Sequence, residues 1–335
     1  MALPTRPLGT TGMDITRVGF GAWAAGGGGW AFSWGPQDDD QSVAAIRHAV
    51  ESGINWVDTA AVYGLGHSEE VVARALQGLP AADRPYIFTK CGLRWDDNDR
   101  YQPARRVGAA ASLREEVEAS LSRLQVERID LYQMHWPAED GTPLESYWST
   151  LLGLKAEGKI RAAALCNHNL AQLGAAEGVG HVDGLQPPFS AIRRTAAEEI
   201  AWCAGHSTGV IVYSPMQAGL LTGAFSAERV ASLHEDDWRA RNPEFQGERL
   251  ARNLALADAL RPVAEARGTS VAAVAVAWTI AWPGVTGAIV GARGPSQVDG
   301  WLPAATLELS SDELNQVAAA IASTGAGDGP VRPPT

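Results

Sequence analysis

Eight short apolar runs recur along the chain, and each is followed by a loop and then by a longer segment with helical spacing. Such runs are typical of buried parallel strands that are joined by crossover helices. Eight of these units close into a (β/α)8 TIM barrel, which is the fold that we predict. The runs lie at residues 18–23, 55–58, 86–90, 129–134, 160–166, 182–186, 210–214 and 286–290.

An open, doubly wound sheet is the alternative architecture. It has little support, because Gly19-Phe20-Gly21 begins a GxGxxG fingerprint without completing it. The predicted helices cover residues 38–52, 68–78, 108–125, 144–157, 169–177, 196–207, 249–267, 270–281 and 310–322. We also predict an N-terminal β-hairpin that turns near Thr11 and Gly12.

No linker divides the chain, so we expect a single domain over residues 1–325, followed by a flexible, Gly- and Pro-rich tail at 326–335. Two long connections, at residues 26–37 and 215–247, would lie at the C-terminal face of the barrel. Loops at that face carry function in this architecture.

The acidic composition limits the classes of partner that this chain could bind. The net charge is −11, which argues against nonspecific binding to nucleic acid or to anionic membranes. The three cysteines (Cys91, Cys166 and Cys203) form no CxxC pair, and the first residues lack the apolar core of a signal peptide. The most apolar stretch, residues 271–282, is too short to span a bilayer. We therefore expect a cytoplasmic protein.

Four polar side chains follow predicted strands at the positions where a barrel carries its catalytic groups. Asp58 ends the second strand, Tyr63 lies in the loop after it, Lys90 ends the third strand, and His135 follows the fourth. A nearby ammonium lowers the pKa of a tyrosine, and a carboxylate keeps that ammonium charged. Histidine can orient a carbonyl or relay a proton. Together the four residues could protonate an oxygen that gains negative charge when hydride adds to a carbonyl.

Each of the four has an ordinary structural interpretation as well. An Asp at a strand end often caps the next helix, and a Lys at a strand end is usually solvated. The joint arrangement is what favours a catalytic role.

Three motifs resemble the aldo-keto reductase superfamily: DTAAVYG at residues 58–64, FTKCG at 88–92 and DLYQMHWP at 130–137. The resemblance continues through GKIRA at 158–162, LQPPF at 185–189, YSPMQAGLLTG at 213–223 and IVGAR at 289–293. It implies a metal-free barrel, a tetrad of Asp58, Tyr63, Lys90 and His135, and NADPH as the usual cofactor, with NADH less favoured. The branch it resembles contains bacterial sugar-aldehyde reductases and potassium-channel β-subunits, and it leaves a homo-oligomer open.

The same resemblance assigns the cofactor site. Tyr213 would stack under the nicotinamide, Gln186 and Asn167 would hold the carboxamide, and Arg293 would suit a 2′-phosphate at the adenosine end. The full set is Gly21, Ala22, Trp23, Asp58, Cys166, Asn167, Gln186, Tyr213, Ser214, Pro215, Met216, Gly219, Leu220, Gly291, Arg293 and Gln297. Two residues depart from the family's pattern. Cys166 replaces the usual serine, and Trp301 stands where Asn is common, which puts the adenine contacts in doubt.

Aromatic residues gather in the predicted mouth loops of a chain with 12 tryptophans. They suit apolar or sugar C–H surfaces, so the predicted substrate is a hydroxylated aldehyde or ketone, such as a sugar derivative, with aromatic aldehydes as the rival. The predicted substrate-binding residues are Trp23, Trp30, Tyr63, Trp95, His135 and Trp136.

The main functional hypothesis is thus an NADPH-dependent carbonyl reductase. The alternatives are a nucleotide-sensing regulatory subunit of the channel β-subunit kind, an NAD-linked sugar dehydrogenase that acts in the oxidative direction, and a phosphate-binding isomerase barrel.

Overall fold

The structure is a computed structural model that describes residues 2–233 and 237–333. Residues 234–236 of the predicted loop and 334–335 of the predicted tail lie outside the described residues. Within the described residues, eight parallel strands form a closed barrel. Each strand pairs with its neighbours in chain order, and the last pairs with the first. The strands are Val18–Gly21, Trp56–Asp58, Tyr86–Cys91, Ile129–Met134, Ile160–Cys166, Gly184–Gln186, Gly209–Val212 and Gly287–Gly291. The predicted (β/α)8 barrel is therefore confirmed.

Helices surround the barrel and fill the connections between its strands. The α-helices are Asp39–Glu51, His67–Leu76, Ala110–Leu124, Leu144–Ala156, Leu170–Val179, Ala197–Gly205, Ala227–Ala231, Gly247–Ala259, Arg261–Ala266, Val271–Ala281, Pro295–Trp301 and Ser311–Thr324. Short 3-10 helices lie at Ala24–Gly26, Ala81–Asp83, Gln217–Thr222, Trp238–Arg241, Pro243–Phe245 and Leu302–Ala305. Every described helix is too short or too polar to cross a bilayer.

Two short hairpins accompany the barrel. The predicted N-terminal hairpin pairs Thr5–Pro7 with Asp14–Thr16, and its turn includes Thr11 and Gly12. Its apolar residues Leu8 and Met13 are fully buried and belong to the core inside the barrel, so this hairpin closes the end opposite the strand C-termini. The second hairpin, Leu93–Arg94 with Arg105–Arg106, lies in the loop after the third barrel strand and was not predicted.

The barrel interior is apolar below its mouth, and Trp56 is its largest side chain. The Trp56 indole is fully buried and donates a hydrogen bond of 2.8 Å to the carbonyl oxygen of Thr16. It packs against the backbone of the first strand so closely that a Cβ at Gly19 would lie 2.1 Å from its ring. Glycine is required at position 19, because the Trp56 ring leaves no space for a side chain there.

The prediction of one continuous helix over residues 249–267 is wrong, because the structure has two helices there that meet at Leu260. Pro262 lies in the first turn of the second piece, where its missing N–H is tolerated. The predicted strands also extend past the observed ones at several ends, and the first ends at Gly21 instead of Trp23.

The first part of the segment predicted as a flexible tail, residues 326–330, is packed against the loop after the sixth strand. The buried Arg194 guanidinium donates to the carbonyl oxygens of Ala326, Gly329 and Pro330. At Gly327 a Cβ would lie 1.6 Å from the carbonyl oxygen of Ile192, so glycine permits this contact. These contacts place the first part of the tail against the barrel, and the single domain over residues 1–325 and the flexible tail at 326–335 both stay predictions.

Candidate active site

The four predicted catalytic residues come together at the C-terminal ends of the second, third and fourth strands. The Lys90 ammonium lies 2.5 Å from Asp58 Oδ1 and 5.2 Å from the centre of the Tyr63 ring. The Tyr63 and His135 rings are 5.8 Å apart and nearly perpendicular. The structure thus brings the four side chains together, and the roles that we assign to them stay predictions.

The Asp58–Lys90 pair is almost completely buried. The ammonium also donates 2.8 Å to the carbonyl oxygen of Thr59, so two oxygens hold it in place. Burial lowers the pKa of Lys90, but the attractions of Asp58, Tyr63 and Cys166 and the hydrogen bond to Asp58 together outweigh that effect, and the net pKa is raised. Lys90 is therefore a permanent cation beside Tyr63.

The electrostatics of Tyr63 and His135 follow mainly from burial. Burial raises the pKa of Tyr63 to about 12, and Lys90 opposes this shift without reversing it. From the sequence we expected Lys90 to lower the pKa of Tyr63. Lys90 does lower it, but burial raises it by more, so the net pKa is raised. Burial, reinforced by Lys90, holds the pKa of His135 well below its usual range. At neutral pH the site therefore holds a protonated phenol and a neutral imidazole.

A layer of two buried amides lies directly beneath the tetrad. Gln186 and Gln133 donate to Asp58 Oδ2 over 2.9 Å and 3.1 Å, and Gln186 also donates 2.9 Å to Gln133 Oε1. Gln186 was predicted as a cofactor residue, but Gln133 was missed. A lone amide in the otherwise apolar run 131–134 was the available signal.

The turn after the fifth strand joins three predicted cofactor residues. Asn167 has a left-handed backbone, and its amide donates 3.0 Å to the carbonyl oxygen of His135 and 3.2 Å to Cys166 Sγ. Asn167 Oδ1 accepts a hydrogen bond of 2.9 Å from the Tyr213 hydroxyl. Burial raises the pKa of the Cys166 thiol, which makes it a poor nucleophile.

The predicted pyrophosphate segment is a sharply turning loop. Ser214 adopts a left-handed backbone conformation, and Gly219 has a φ of 103°. Two of its N–H groups are used within the loop, since Gln217 and Gly219 donate to the carbonyl oxygens of Ser214 and Met216 over 2.9 Å and 3.1 Å. Pro215 and Met216 form the bend between them, whereas Leu220 is buried in the core and could contribute only its backbone.

At the predicted adenosine end, Arg293 bridges two loops. Its guanidinium donates 2.6 Å to Gln37 Oε1 and also contacts the carbonyl oxygen of Pro36, while Gln297 accepts from its backbone N–H. The arginine is half-buried rather than a free surface cation. Trp301, which raised doubt about adenine contacts, is buried in the core.

Two of the predicted substrate tryptophans surround Tyr63. Trp23 stacks on the phenol ring at 5.7 Å, and the buried Trp30 lies 6.4 Å from it. Trp238 was missed; it lies parallel to Trp23 at 6.4 Å and comes from the long loop after the seventh strand.

The other two predicted tryptophans contact different partners. Trp95 donates to Asp97 in its own loop, and Trp136 packs under the Arg106 guanidinium at 4.5 Å. The remaining predicted cofactor positions, Gly21, Ala22 and Gly291, are backbone positions at the mouth, where the Ala22 N–H donates to the carbonyl oxygen of Asp58.

Comparison with known proteins decides the family. The sequence profile described as "Aldo/keto reductase family" matches residues 17–322, which is most of the chain. The chain belongs to the aldo/keto reductase family. Aldo-keto reductase YhdN of Bacillus subtilis (strain 168) is 34% identical over 309 residues, covering 92% of this chain and 90% of that protein. An NADH-specific methylglyoxal reductase of Escherichia coli (strain K12) is 32% identical over 318 residues, covering 91% and 94%.

Among solved structures, the glycerol dehydrogenase AKR11B4 from Gluconobacter oxydans superimposes with a TM-score of 0.88 at 37% identity, covering 98% of each chain. The aldo/keto reductase family binds nicotinamide cofactors and acts on small carbonyl compounds. For this chain the membership establishes an oxidoreductase with a barrel fold.

Proposed function

We propose that this aldo-keto reductase reduces small hydroxylated aldehydes or ketones to alcohols with NADPH, and that Tyr63 is the proton donor. The observation that carries the proposal is the contact of the Tyr63 ring with a buried Lys90 ammonium, next to a neutral His135. A phenol with a fixed cation at its side can release a proton, because the cation stabilises the tyrosinate that remains.

The residues divide the work as follows. Asp58 keeps Lys90 charged and fixed, Lys90 stabilises the Tyr63 oxygen after proton release, and His135 orients the carbonyl oxygen toward Tyr63 through a ring N–H. A bound reduced nicotinamide supplies the hydride.

The donor set fits that group. Gln186 offers an amide oxygen to a carboxamide, Tyr213 offers a ring face, and the turning segment from Ser214 to Gly219 would lie along a pyrophosphate.

NADPH is the proposed cofactor because Arg293 places a cation at the adenosine end, where a 2′-phosphate pairs with a guanidinium. NADH is the second candidate, since the 32% identical relative from Escherichia coli is named NADH-specific. Fluorescence titration of the wild type with both cofactors decides between them. Arg293→Ala should weaken NADPH at least about tenfold and leave NADH unchanged, whereas Arg252→Ala, whose side chain pairs with Glu248 on its own helix, should change neither.

The substrate proposal depends on the tryptophans around Tyr63, and two relatives named for small oxygenated substrates support it. A panel of glyceraldehyde, dihydroxyacetone, methylglyoxal and benzaldehyde tests it. Tyr63→Phe should abolish turnover of every member while cofactor affinity is retained. Turnover by Tyr63→Phe equal to that of the wild type would refute the assigned proton donor.

The alternatives remain distinguishable. Tight cofactor binding with negligible turnover across the panel would favour a nucleotide-sensing subunit. The similarity to a glycerol dehydrogenase favours oxidation as the second candidate direction. We also propose a reducing cytoplasm as the location, and three free, buried cysteines support it. The family resemblance leaves a homo-oligomer open, and light scattering tests it.

A further inference from the structure

Gln133 is an amide in an inward-facing position of the fourth barrel strand. It is fully buried, and by strand alternation it shares its face with Leu131 and His135. Leu131 belongs to the apolar core inside the barrel, and His135 belongs to the tetrad above it. Gln133 therefore lies between the apolar core and the reacting groups, where an unpaired amide would be costly.

The Asp58 carboxylate determines how both neighbouring amides are oriented. An ionised carboxylate only accepts hydrogen bonds, so the group that each glutamine turns toward Asp58 Oδ2 must be its Nε2. The Lys90 ammonium occupies the other oxygen at 2.5 Å. Gln133 must then present its Oε1 to Gln186, which donates to it over 2.9 Å.

This arrangement uses both N–H groups of the Gln186 amide. One donates to Asp58 and the other to Gln133, which fixes the amide plane and turns Oε1 away from Asp58. The described partner of that oxygen is the Cys166 thiol at 3.8 Å, which is a weak donor. Gln186 Oε1 is thus a fixed acceptor with capacity for a stronger donor.

We propose that Gln133 is a positioning residue that locks the Gln186 amide, so that its oxygen faces the carboxamide N–H of a bound nicotinamide. The proposal rests on the proposed function, because it requires that nicotinamide binds beside Gln186. In this arrangement Asp58 holds both the Lys90 ammonium beside the proton donor Tyr63 and the amide of the acceptor Gln186.

The test compares two cofactors that differ only at the carboxamide. NADP⁺ carries the N–H donor, and its 3-acetylpyridine analogue replaces the amide by a methyl ketone that has none; NAD⁺ and its analogue are measured in parallel. The wild type should bind the amide form about tenfold more tightly than the ketone, which is the scale of one hydrogen bond. Gln133→Met, of similar length but without polar groups, should reduce this preference to about twofold or less.

A merely structural role gives a different result, because a distorted site weakens both cofactors by the same factor. An unchanged preference in Gln133→Met would therefore overturn the proposal. Tyr132→Phe is the matched control, since it changes a buried polar residue on the same strand but on the opposite face, and it should keep the wild-type preference. Gln133→Leu provides a second apolar variant that also lacks the N–H donor, and it should also lose the preference.

The two proposals fail separately. A wild type that binds none of these nucleotides, or that binds them and reduces no carbonyl, contradicts the proposed function whatever Gln133 does. A wild type that binds and turns over, with the same cofactor preference in Gln133→Met, contradicts only the positioning role.

Discussion

The two directions of the proposed reaction should respond differently to pH, because they need opposite protonation states of Tyr63. Reduction needs the phenol, and oxidation needs the tyrosinate. Burial raises the pKa of Tyr63 to about 12, with Lys90 opposing the shift. At pH 7 the tyrosinate is then on the order of 1 molecule in 10⁵, whereas the phenol is present in essentially every molecule.

The magnitude follows directly from that pKa. The kcat/KM for an alcohol should rise about tenfold per pH unit between pH 7 and 9, while the kcat/KM for the matching aldehyde should not rise over the same interval. The positive charge of a bound oxidised nicotinamide would lower the tyrosine pKa from this raised value, so the oxidative profile should level off before pH 12. His135 should add no inflection above neutral pH, because its pKa lies well below the usual range.

Initial rates in both directions at constant ionic strength measure this behaviour. Activity recovered on return to pH 7 controls for alkaline inactivation. An independent readout is tyrosinate absorbance near 295 nm, where the difference between the wild type and Tyr63→Phe should appear only in strong alkali. An oxidative rate that is independent of pH from 7 to 9, or a Tyr63 that titrates near pH 8 in the free protein, would refute the electrostatic argument.

Three further predictions concern stability. Burial lowers the pKa of His168 to about 4, whereas an unfolded histidine titrates near 6.5. Between these two pH values the unfolded state binds one more proton than the folded state. The free energy of unfolding should therefore fall as the pH falls, by about 3 kcal/mol from this residue. His168→Asn should flatten that part of the urea-unfolding profile, and an equal slope in both proteins would contradict it. Gly19→Ala should destabilise by about 1–3 kcal/mol through its clash with Trp56, whereas Gly174→Ala on an open helix surface should be neutral or stabilising, and thermal unfolding compares them. Arg194→Met should leave tail carbonyls without a donor and expose the C-terminus to limited proteolysis; a cleavage rate like that of the wild type would show that the guanidinium does not hold the tail.

The strands and most helices were predictable because their signals are local. Apolar runs of strand length and helical spacing are written into consecutive residues. The division of the helix 249–267 also had a local signal in Pro262, which the spacing alone hides. The packed tail had none: glycines at 325, 327 and 329 are typical of a loose end, and their docking depends on Arg194, more than a hundred residues earlier.

The positions of the tetrad could be predicted because a barrel places the ends of neighbouring strands together. The contacts of Trp238 could not, because they require two long loops without periodic pattern to meet over the mouth. Likewise the sequence indicates that Lys90 acts on Tyr63, but it cannot say how far the ring is withdrawn from water. Burial, a tertiary property, decides the sign of the pKa shift.

The buried ion pair at the mouth is better explained by chemistry than by stability. Buried ion pairs such as Asp58–Lys90 commonly contribute no more to stability than apolar residues of similar volume, because both charges lose their hydration. This barrel already has such residues directly below, in a fully buried layer around Trp56, Phe88 and Leu131. The chain instead adds two amides that orient the carboxylate, and it places a tyrosine over the resulting cation. A rigid apolar base below and a fixed charge above are the conditions under which preorganised dipoles stabilise developing charge most effectively.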